Sequence, residues 1–228
     1  MDSGVFEATS VAGQNWNRDE LLLALNLYCQ LPFGKYHNRN PEIIYLAGLI
    51  GRTPNAVAMK LSNFASLDPA HQARGVKGLV NASRADRDIW AEFHANWDEM
   101  VLESALKLQH LTGNSDQLTP PITPTPSSAS IAFTGPTEAI RQIKVRIGQD
   151  FFRRVILTSY SARCCICGMP IPELLVASHI VAWRDNENLR VNPHNGLCLC
   201  ALHDKGFDRG LVTLGPAYDV IVGRTLRH

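Results

Sequence analysis

Cysteine spacing constrains this chain more than any other feature. Cys164-x-x-Cys167 puts two thiolates within reach of one tetrahedral ion, and Cys200-x-x-His203 repeats the spacing with imidazole as the last donor. The four residues make a closed Cys3His set, the kind that staples a fold and keeps no position open for substrate. The expected ion is Zn2+. A disulfide framework is the weaker reading. Nothing in the chain resembles a secretory signal or a membrane span, so a cytoplasmic chain with reduced thiols is expected. Cys165 and Cys198 are expected in the core, and Cys29, in an apolar helical stretch, is expected to pack.

A second chemistry is interleaved with the first. Leu175 to Val181 is short, apolar and β-favouring, and carries His179. Gly196 to Cys200 reads as a second strand, preceded by Asn195. Ala201 to Arg209 reads as one helix, with Gly210 as its stop. On it Asp204 and Asp208, four apart, share a face, while His203 turns away towards the zinc. Taken singly, these residues are a core histidine, an Asn-Gly turn and a solvated helix face. Together they suit metal-assisted hydrolysis, which needs a base to activate water and a cation to stabilise charge. An imidazole titrates near working pH, and carboxylates are hard ligands for Mg2+ or Mn2+.

The stretch from Cys164 to Gly210 resembles the HNH endonucleases, whose ββα-metal hairpin cuts nucleic-acid phosphodiesters. That resemblance implies His179 as the base and Asn195 as the residue holding the loop that orients it. It implies Asp204 and Asp208 around a catalytic Mg2+ or Mn2+, and Cys164, Cys167, Cys200 and His203 around a structural Zn2+. Two positions depart from the family. Ser178 stands where many relatives have a metal-binding Asp or His, and Asp204 where the last His is expected. The catalytic ion is therefore expected to rest on two carboxylates, water and the phosphate. The run Arg146 to Arg153, followed by Tyr160 and Cys164, resembles the lead-in helix of restriction-type HNH proteins, some of which cut DNA bearing modified cytosine. A restriction-like endonuclease acting on double-stranded DNA is implied. One such site cuts one strand, so a symmetric homodimer is the expected solution for two.

The repeated prolines between Thr112 and Ser130 forbid helix and remove ladder donors, which reads as an extended spacer. The expected organisation is a helical recognition domain over 1–111, a Pro/Thr/Ser-rich linker over 112–135 and a nuclease domain over 136–228. The expected fold class is α+β: an all-helical N-terminal domain plus a C-terminal ββα-metal domain with a structural zinc. An apolar content of 45% excludes disorder throughout, and a net charge of +1 argues neither for nor against nucleic acid. The charge is uneven, however. Residues 136–228 carry more basic than acidic side chains and residues 1–111 the reverse, as suits a domain approaching phosphates.

Thr137 to Ser161 reads as a helix with Ile140, Ile143, Ile147, Phe151 and Val155 on one face and a bend or break at Gly148. Arg146, Arg153 and Arg154 either touch phosphates or form a solvated face. Leu211 to Leu214 and Tyr218 to Val222 bracket Gly215-Pro216 as a closing hairpin. In the N-terminal part, Asn17-x-x-Glu20 has the form of a capping box, and Asn40-Pro41 and Thr53-Pro54 of helix starts, with Gly51 between them as a stop. Helix, short turn, helix suits a helix-turn-helix, and equally a common packing unit that binds protein. In its second helix Val57, Leu61 and Phe64 are expected inward. Asn55, Met59, Lys60 and Asn63 are expected outward, able to reach base edges or phosphates. Residues 86–108 are amphipathic, with Ile89, Trp90, Phe93 and Trp97 as core. His37, His71, His94 and His110 show no ligand spacing. The rival reading is a DNA-binding regulator whose C-terminal half is a zinc module without catalysis.

Overall fold

The computed structural model describes residues 14–73, 82–113 and 136–226. Nearly all of the expected linker lies outside the described residues. The chain forms two compact units, Met1–Ile147 and Gly148–His228.

The first unit is helical. α1 (Arg18–Gln30) opens on a complete capping box, in which the Asn17 side chain accepts from the Glu20 amide and Glu20 accepts in return. It buries Leu21, Leu22, Leu23, Ala24, Leu25 and Tyr28, so it is covered on nearly every side. Its neighbours are α2 (Pro41–Leu49), α3 (Pro54–Leu67), α5 (Arg84–Ala95) and α6 (Trp97–Thr112), with the short α4 (Pro69–Ala73) following α3. Asn40 and Thr53 cap α2 and α3, with proline in each first turn. Ile43, Val57, Leu61, Phe64, Ile89, Phe93 and Val101 complete the core.

Two charge pairs are built into this core. Arg52, in the turn between α2 and α3, donates to buried Glu20 at 2.8 and 3.0 Å and to the carbonyls of Gln14 and Asn15. Lys60 donates to Asp86 at 2.7 Å, and the Asp86 side chain is fully buried. Both cations also lie over the Trp16 ring. The expected outward position of Lys60 is therefore corrected. It is 8% exposed, because the Asp86 carboxylate that also caps α5 draws it inward. Met59 and Asn55 do face solvent, and Asn63 is half-buried.

The second unit is small. The end of α7 (Pro136–Ser159) lays Phe152 and Ile156 onto a two-stranded sheet, and Phe151 and Val155 are buried beside them in sequence. β1 (Leu175–His179) pairs antiparallel with β2 (Gly196–Cys200), Ser178 opposite Leu197 and His179 opposite Gly196. α8 (Ala201–Asp208) follows directly and packs on both strands, and the hairpin β3 (Val212–Leu214) and β4 (Val220–Val222) closes the chain. Gly196 allows the helix to lie this close. A Cβ there would stand 2.7 Å from Phe152 Cζ and collide with Ile156. The Asn-Gly pair is thus a packing device rather than a turn.

Three expectations need correction. α7 runs unbroken through Gly148, whose bare Cα makes room for Val191 Cγ2, 2.9 Å from where a Cβ would sit. Its apolar face is buried only in its second half, since Ile140 is 68% and Ile143 37% exposed. Cys165 is exposed rather than core, while Cys198 is buried as expected. Among the described residues no helix is long and apolar enough to cross a membrane.

Candidate metal centre and hydrolytic site

The two cysteine motifs meet. A tight turn from Cys164 to Met169 is closed by the Cys164 amide on the Met169 carbonyl and the Gly168 amide on the Cys164 carbonyl, with Gly168 at φ 73°. It presents Cys164 and Cys167 to the junction of β2 and α8, where Cys200 and His203 lie. The four ligand atoms all fall within 4.8 Å of one another. Cys167 Sγ to Cys200 Sγ is 3.9 Å, and His203 Nδ1 is 3.5 and 3.2 Å from the sulfurs of Cys164 and Cys200. A tetrahedron built on Zn–S bonds of about 2.3 Å has edges of about 3.8 Å, so the donor set fits a zinc-sized ion without rearrangement.

The electrostatics set one ligand sulfur, Cys164, apart from the packing sulfur of Cys198. Burial raises the pKa of Cys164, but the amides of Cys167, Cys200 and Ile166 and the His203 side chain outweigh it and hold the thiol at about 6. Cys198, also buried, faces apolar neighbours and is pushed up to about 11, first by burial and then by the charge of Cys164. One is poised to be a thiolate and the other is an inert core thiol.

His179 ends β1. Its ring lies parallel to Phe152, with centroids 4.0 Å apart and a 7° interplanar angle, and meets the Trp183 edge at 5.4 Å and 88°. Nε2 is 2.8 Å from the Arg190 carbonyl. A carbonyl only accepts, so Nε2 carries the hydrogen and Nδ1 keeps its lone pair. Burial draws the pKa below the ordinary 6.5, opposed by the bond to Arg190.

Asn195 is 5% exposed and spends its carboxamide on the loop after β1. Oδ1 accepts from the Val181 amide at 2.7 Å, and Nδ2 donates to the carbonyls of Val181 and Leu189 at 3.0 and 3.1 Å. Its own carbonyl accepts from the Ile180 amide. Through these bonds Asn195 ties down the two residues that follow β1, Ile180 and Val181.

Asp204 is half-buried and its pKa is raised, first by burial and then by the charge of Asp208, against a hydrogen bond from Ser178. Ser178, 4% exposed, thus steadies a carboxylate on α8. Asp208 is exposed one turn on. Among the described residues, only the Cys3His group gathers three or more His, Cys, Asp or Glu ligand atoms this closely. His179, Asp204 and Asp208 therefore form no second closed cage.

The basic candidates part company. Arg146 stands exposed, whereas Arg153 donates to the Leu175 carbonyl at 2.7 Å and the Pro172 carbonyl at 3.3 Å, pinning the approach to β1. Sequence reasoning missed the Ser178–Asp204 bond and the roles of Trp183 and Arg190. The signal present was a single Trp and two Arg in the loop between His179 and Asn195.

Residues 164–215 match the family model of the HNH endonucleases. The C-terminal region carries an HNH-family nuclease domain, and a nuclease of this type is compatible with a DNA endonuclease. No curated protein and no solved structure matches the chain.

Proposed function

We propose that this chain is a divalent-metal-dependent DNA endonuclease that hydrolyses phosphodiester bonds in a restriction-like, defensive role, with DNA bearing modified bases among its targets. The observation that carries the reading is the state of His179. Its Nε2 is committed to a carbonyl, its Nδ1 has no hydrogen-bond partner among the described residues, and burial keeps it neutral near pH 7. In this reading Nδ1 takes the proton from the attacking water, and Asn195 holds the loop that fixes the ring. Asp204 and Asp208 hold Mg2+ or Mn2+, and Ser178 aims Asp204. When bound, the cation supplies positive charge to the phosphate and to the leaving oxygen. Cys164, Cys167, Cys200 and His203 hold a structural Zn2+ with no open position.

On the substrate side, exposed Asn55 and Arg146 and half-buried Asn63 remain the proposed DNA contacts. Lys60 and Arg153 serve internal bonds instead. Cleavage of both strands needs a dimer or two visits by one copy, and a symmetric homodimer is the usual solution.

Ser178 in place of a metal-binding residue favours a second reading, a zinc-containing DNA-binding regulator without catalysis. Supercoiled plasmid separates the two. Nicking with Mg2+ or Mn2+ that stops with EDTA, and that falls about 10²-fold or more in His179→Ala, supports the enzyme. Retardation of DNA without any nicking supports the regulator. Unmodified, methylated and hydroxymethylated DNA compared in one assay identifies the preferred target.

A further inference from the structure

The loop between β1 and β2 contains a clasp that neither the family match nor the cysteine pattern assigns. Arg190 Nε donates to the Trp183 carbonyl at 2.9 Å, and its guanidinium lies over the Trp183 indole, 5.5 Å from the ring centroid. Its Nη2 pairs with Glu187 at 3.0 Å. Two ends of this clasp reach the same imidazole. The Arg190 carbonyl accepts from His179 Nε2, and the Trp183 ring lies near-perpendicular to the His179 ring, which Phe152 covers on one face. Asn195 braces the loop from beneath through Val181 and Leu189, and Val191 seats against Gly148 of α7.

We infer that Arg190 and Trp183 are positioning residues, closing the loop so that one backbone carbonyl fixes the tautomer and direction of His179. The inference rests on the proposed hydrolytic reading, which makes Nδ1 the reacting nitrogen. Geometry explains why a side chain is needed. The carbonyl belongs to an irregular loop without a strand ladder, and a hydrogen bond to His179 is directional only while that loop is held. Arg190 holds it by folding back on Trp183, seven residues earlier, with a planar fork and a flat face used together. A lysine retains a charge and a donor but lacks the fork.

The test pairs a spectrum with kinetics. In long-range 1H–15N spectra of the zinc-loaded protein, assigned by the signal lost in His179→Ala, the parent should give the Nε2–H tautomer. Arg190→Ala should give a mixture of both tautomers. Its plasmid-nicking rate should fall roughly tenfold to a hundredfold at saturating DNA, with KM for DNA unchanged. Arg190→Lys should recover part of both, and Trp183→Phe should fall between it and the alanine variant. Zinc content and thermal unfolding monitor the fold, and if Arg190→Ala fails to fold, Trp183→Phe decides. A His179 tautomer and nicking rate identical to the parent in the folded variants would overturn the clasp. Should the parent cut no DNA at all, the hydrolytic reading fails, and the tautomer shift alone then decides whether the clasp positions His179.

Discussion

The two units reach stability by different routes. The N-terminal unit wraps α1 in four other helices and buries a continuous set of aliphatic and aromatic side chains. It can therefore afford Glu20–Arg52 and Lys60–Asp86 inside. The C-terminal unit has one cluster of eight buried residues, three of which are cysteines that belong to or flank the metal set. With so little apolar area to remove from water, the second unit has a use for the ion that its Cys3His donor set could hold, where the first relies on packing. The difference also places function. A scaffold that an ion would staple at one corner leaves strand ends and loops free to present chemistry.

The largest separation of the two units is expected from metal removal. Chelation, or Cys167→Ser, should abolish hydrogen-exchange protection in β1, β2 and α8 and leave α1, α3 and α5 protected. Equal loss in both units would break the comparison. Next comes Asp86→Ala, which leaves the Lys60 ammonium buried without its partner and should cost about 3–5 kcal/mol in the N-terminal unit alone, read by denaturant unfolding with segment-resolved exchange. Gly196→Ala is the counterpart in the C-terminal unit. The added methyl meets Phe152 and Ile156, and a cost of about 1–3 kcal/mol should appear there, with zinc retained. The smallest effect is on pH. A histidine whose folded pKa lies below 6.5 is neutral down to that lowered value, so nicking should rise with pH through a midpoint below 6.5 and be flat above it. A midpoint above 6.5 would show that burial does not lower the His179 pKa.

What could be read beforehand follows the range of the interactions. The cysteine ligand pairs, the Asn17–Glu20 capping box and the strand–strand–helix order around Asn195 depend on neighbours within a few positions, so spacing alone exposes them. Lys60 looked like a surface cation because its partner lies on another helix, 26 positions away. Arg153 looked solvent-bound because its acceptors are backbone carbonyls 22 and 19 positions on, and a carbonyl has no letter in a sequence. The exposed start of α7 was hidden for a related reason. Helical periodicity marks the apolar stripe on Ile140, Ile143 and Ile147, but burial depends on whether a sheet reaches that far, and this one covers only the second half.

His203 and Asp204 are sequence neighbours with unlike destinations, and each residue turns a helix by about 100°. Adding or deleting a single codon within 201–208 would swing every later side chain by that angle and misdirect sulfur-bound and oxygen-bound chemistry at one stroke. Lineages carrying this domain should therefore hardly vary in length from Cys200 to Asp208.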